Sequence, residues 1–126
     1  MFATVDADPA KKQYGSRRHH VLARFENPSP AAGMAGMFDV VILNGVVGFV
    51  MNTVDSKRAA FSVSRELLAP RGRLLIGYND LEERNRFAPE FAKGFETSPI
   101  PGMQVCNCVN SDGLRFRFVC FVKADS

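Results

Sequence analysis

The chain has 126 residues, 46% of them apolar, and 16 Lys and Arg against 13 Asp and Glu leave a net charge of +3. Such a length buries one core and hardly two, so the chain is read as a single domain over residues 1–126, with a charge too small to require a nucleic-acid or membrane partner. The longest apolar run, 40–51, is broken by Asn44, Gly45 and Gly48 and falls short of the roughly 20 residues a bilayer needs. The first residues carry acids where a signal peptide needs positive charge, so a cytoplasmic location is expected, in which the three cysteines stay reduced.

In chain order, Phe2-Ala-Thr-Val-Asp6 is a short apolar run ending in an acid, and Pro9 opens a helical turn through Tyr14 that Gly15 stops: a strand feeding a helix. Residues 20–25, His-Val-Leu-Ala-Arg-Phe, form a second, weaker strand, and 27–36 is a loop rich in turn formers. Phe38-Asp-Val-Val-Ile-Leu-Asn-Gly-Val-Val47 then reads as a strand covered on both faces. Asn52 or Thr53 caps a helix reaching Ala69, in which Val54, Ala60, Phe61, Leu67 and Leu68 recur at helical spacing while Lys57, Arg58, Arg65 and Glu66 point elsewhere. Pro70 and Gly72 stop it, and Arg73-Leu-Leu-Ile-Gly-Tyr-Asn79 is the next strand; a crossover helix between two such runs makes them parallel.

Asp80 with Glu83 opens a further helix that Pro89 ends or kinks, and Ser98-Pro-Ile-Pro-Gly102 turns the chain. The last quarter differs in kind: two strands, 103–109 and 114–123, flank Asn110-Ser-Asp-Gly113 and pair antiparallel as a hairpin. Cys106 and Cys108 share one face of a strand and Cys120 falls on its neighbour, but tetrahedral zinc usually draws thiolates from turns spaced Cys-x2-4-Cys. Buried thiols are therefore expected, and no metal. His19 and His20 face opposite ways, with no nucleophile arranged beside either.

The run 38–46, the helix ending Glu66-Leu-Leu-Ala-Pro70, the run Arg71-Gly-Arg-Leu-Leu-Ile-Gly77 and the closing hairpin together resemble class I S-adenosylmethionine (SAM)-dependent methyltransferases. The resemblance implies an α/β fold, an incomplete Rossmann-like sheet of mostly parallel strands with a C-terminal antiparallel hairpin. The parts match the family's fourth and fifth strands and its reversed last strand, and Thr4-Val-Asp6 matches the end of its second, whose acid binds the ribose of the cofactor. The family's first strand and glycine-rich cofactor loop belong before Thr4, where no room is left for them, and Gly33-x-x-Gly36 precedes a strand instead of following one. Arg24 stands near the place of the family's adenine-contacting acid, with Glu26 as a substitute.

In the family the first strand lies between the second and the fourth, so the strand that begins at Phe38 and ends at Val47 is left with an open edge. Buried peptide groups without partners cost roughly 1 to 3 kcal/mol each, so the edge must be filled. Either 4–6 or 20–25 moves beside it, or a second copy pairs with it; a homodimer through that edge is expected.

The resemblance assigns Asp6, Asn44 and Gly45 to cofactor binding and Tyr78 and Asn79 to the substrate side; it marks no residue as catalytic. Each has a plain structural reading beside it: a cap for Asp6, a turn for Asn44-Gly45. The function expected is a methyltransferase-like domain without activity of its own, because the SAM-binding glycine loop is missing. The alternatives are an enzyme completed by a second chain, or an RNA-binding module in which Phe116 and Phe118, on one face of Phe116-Arg-Phe-Val-Cys-Phe121, stack on bases. Nucleic-acid binding is the weaker reading, since Leu114 and Arg115 replace the basic residue and glycine of that motif.

Overall fold

The computed structural model describes residues 3–6, 9–15, 20–22, 25, 33–44, 52–79, 89–98, 108–109 and 115–124. Two sheets form. In the first, β1 (Thr4–Asp6) and β2 (His20–Leu22) pair in parallel, joined through a 3-10 turn at Pro9–Tyr14. The second has β3 (Phe38–Asn44), β4 (Leu68–Asn79), β7 (Arg115–Lys123) and β5 (Phe95–Thr97) in that order, with β6 (Cys108–Val109) also against β7.

β3 and β4 are parallel, as a crossover through helix α1 (Val54–Leu67) requires, and β7 runs antiparallel to β4 from Arg73↔Val122 to Asn79↔Phe116. β6 pairs with the start of β7 as the hairpin expectation has it. Sequence reading missed β5, a three-residue strand with little periodicity to show; it pairs with the far end of β7, and Ser98 extends it by donating its N–H to the Cys120 carbonyl at 3.0 Å. The helix expected after Asp80 lies outside the described residues, and Pro89 opens a 3-10 turn, Pro89–Ala92.

Thr53 is the cap of α1: its hydroxyl accepts from Ser56 N–H at 3.0 Å and its own N–H donates to Ser56 Oγ at 3.1 Å, so each satisfies an amide the other leaves open. The helix ends earlier than its sequence predicts, at Leu67, because the proline at 70 disfavours helical backbone at Ala69 and Leu68 turns extended (φ −75°, ψ 136°). β4 therefore starts at Leu68 instead of Arg73. Phe38 pairs with Leu68 and Val40 with Arg73, so residues 69–72 bulge, and Arg71 sits there in the left-handed region at φ 63°. Lys123 closes the junction by donating from Nζ to the Leu68 carbonyl at 2.7 Å.

The core lies between α1 and one face of the larger sheet. Register puts Val41 beside Leu74 and Leu43 beside Ile76, with Leu74 beside Phe121, and Ala60, Phe61, Val63 and Leu67 pack down on them. Phe61 is the hub: its ring lies 5.7 Å from Phe121, 6.2 Å from Phe95 and 6.4 Å from Phe91, tilted or edge-on in each case.

Three expectations change here. Val54 is 59% exposed, because it sits in the first turn and does not reach the core that buries the later residues of the same stripe. Lys57 does not point away but lies on the buried stripe of α1 one turn before Ala60 and Phe61. And β3 is covered on one face only: Val41 and Leu43 meet the helix, while Val40 is 45% and Ile42 66% exposed on the other.

Burial lowers the pKa of the Lys57 ammonium, since desolvation disfavours its charged form. The unfolded chain then holds that proton more tightly than the folded one, so stability should rise with pH between the lowered value and lysine's ordinary one, roughly 10.4. Thermal unfolding of the native protein should show this slope and Lys57→Met should lack it. Parallel pH profiles for the two would refute the burial of a charged Lys57.

Candidate functional site

In parallel α/β sheets, ligands sit beyond the carboxyl ends of the strands, where loops diverge. In the larger sheet that end is set by the pairing of Asn44 with Gly77, the last pair of β3 with β4. Asn44 is exposed, and its Oδ1 lies 2.5 Å from where a side-chain carbon on Gly77 would stand. Phe118, directly across β7 from Gly77, brings its ring to 2.7 Å of the same point. The glycine is thus a requirement of close approach: with no side chain it lets an amide and an aromatic ring meet over the strand end. Gly77 was not among the expected site residues, and Phe118 was expected only in the RNA-binding alternative. The signal was present, an isolated glycine inside an apolar strand.

Of the expected residues, Asn44 stands at this end, and the backbones of Tyr78 and Asn79 follow Gly77 in the ladder with Arg117 and Phe116. Tyr78 is only 8% exposed; its ring belongs to the core on the helix side. Asp6 ends β1, paired with Leu22. Gly45, Arg24 and Glu26 lie outside the described residues, as do Cys106 and His19. Cys120 is buried, and burial raises its thiol pKa, with the Arg73 charge acting weakly in the other direction, so it is a poor nucleophile. Of the pair named in the RNA-binding alternative, Phe118 is half-buried against Gly77, and the side chain of Phe116 lies outside those described.

Chemically, the described side chains at this end offer the Asn44 amide, with two donors and an acceptor, the part-buried Arg117 guanidinium and the partly exposed Phe118 ring. Among the described side chains of 42–44, 76–78 and 117–119 there is no carboxylate or imidazole. Thr53 and Ser56 hydroxyls at the start of α1 are engaged in capping each other.

No family model matches the chain, and no curated protein matches it in sequence. Solved structures do. N-methyltransferase NodS from Bradyrhizobium japonicum superposes with a TM-score of 0.67 at 15% identity, over 98% of this chain and 74% of that one. The 1,6-didemethyltoxoflavin-N1-methyltransferase of Burkholderia thailandensis, determined with its substrate and S-adenosylhomocysteine, gives 0.66 at 18% identity over 97% of this chain and 61% of that one. A SAM-dependent methyltransferase from Methanosarcina mazei gives 0.69 at 10% identity, over 98% and 82%. The fold is that of the class I methyltransferases. The chain spans under two thirds of the Burkholderia enzyme's length.

The order of β3, α1, β4 and the antiparallel β7 agrees with the order of parts expected from the family resemblance. Among the described residues no strand joins β1 to β3. The glycines at positive φ that precede β3, Gly33 (81°) and Gly36 (69°), shape a turn at its amino end, where Gly36 N–H donates to the Glu66 carbonyl at 2.8 Å. A phosphate- or cofactor-cradling loop follows a strand at the carboxyl end. Gly33 and Gly36 therefore do not form such a loop, and Asp6 closes β1.

Proposed function

We propose that this chain is a methyltransferase-like domain that carries the substrate side of a methyl-transfer site and does not by itself hold SAM. The position of Gly33 and Gly36 carries this reading: both precede β3, and Gly36 is tied to the Glu66 carbonyl in the last turn of α1, at the wrong end of β3 to approach a cofactor. Asp6, Asn44 and Gly45 are the residues it assigns to the cofactor and Asn79 to the substrate, with Tyr78 holding the strand end through the core. It places the protein in the cytosol, with Cys120 reduced.

Calorimetric titration with S-adenosylhomocysteine tests it. No saturable heat is expected at micromolar ligand. A micromolar dissociation constant that weakens on Asp6→Ala would overturn the reading and make the chain a cofactor-binding enzyme in its own right.

The open side of β3 favours one second reading, an enzyme completed by another polypeptide that supplies the joining strand. In that case the same titration turns from silent to saturable when the partner is added.

A further inference from the structure

We draw no further inference here: the strongest candidate, the outer edge of β3 together with its face away from α1, where Val40 and Ile42 are exposed, carries none because nothing among the described residues shows what covers it.

Discussion

Replacing Phe61 by Ala is expected to lower the unfolding free energy by about 3 to 5 kcal/mol, a large share of the roughly 5 to 15 that holds a domain of this size. Phe61 is 3% exposed and sits where α1 meets three other elements: Phe121 on β7, Phe95 on β5 and Phe91 in the 3-10 turn before it. Removing the ring opens a cavity that α1, held at its start by the Thr53 and Ser56 cap, cannot collapse to fill. It also removes three tilted or edge-on aromatic contacts, each worth roughly 0.5 to 1.5 kcal/mol beyond area, although these are not additive with the cavity term. Phe61→Leu should lose much less, since most of the volume is kept. Urea denaturation of the three proteins decides it; a Phe61→Ala loss below about 1 kcal/mol would mean that the ring cluster is not the centre of the core.

Gly77→Ala is the substitution with the largest expected effect at the candidate site. A methyl group there would lie 2.5 Å from Asn44 Oδ1 and 2.7 Å from Phe118 Cε1, closer than carbon atoms ever approach either. Asn44 is exposed and its amide can swing away, but the Phe118 backbone is held in the ladder opposite Gly77, so the ring must rotate or the strands must part. Overpacking of this kind costs about 1 to 3 kcal/mol. The structure makes a sharper demand than lost stability: in a Phe118→Val background the same substitution should cost much less, because the clashing ring is gone. Additive losses in the double variant would contradict the packing described here. The side-chain amide resonance of Asn44 should shift in Gly77→Ala, reporting displacement at the strand end itself.

Much of the architecture was legible because its signals are local. The apolar run of β3 and the Thr53 cap each use one kind of physics, burial or capping, that the residues state directly, and the expected hairpin shows in the antiparallel pairing of β6 with β7. The parallel pairing of β3 with β4 followed from the length of the crossover, and the fold comparison agrees with the family likeness drawn from those same segments. The end of α1 was misread by two residues because Leu68 suits a helix as well as a strand. What moved the boundary was Pro70 together with pairing of Leu68 to Phe38, and that pairing is thirty residues away in sequence. Lys57 was misplaced for a similar reason: a lysine on a helix defaults to solvent, and only the packing of the next two turns carries its stem inward.

By itself, then, the sequence determined the order and types of the main elements, β5 excepted, because hydrophobic period, caps and turns act within a few residues. The tertiary structure alone decided which of those strands share a sheet. Among the described residues it separated β1 and β2 from the rest, set Phe118 over Gly77 at the carboxyl end of β4, and left one face and one edge of β3 without a partner. These are choices among pairings distant in the chain, and they depend on which peptide groups find partners and which apolar faces find cover. No single segment states that outcome. At β3 both kinds of information meet: a family's strand order leaves its edge open, and among the described residues Val40 and Ile42 are exposed on its face away from α1.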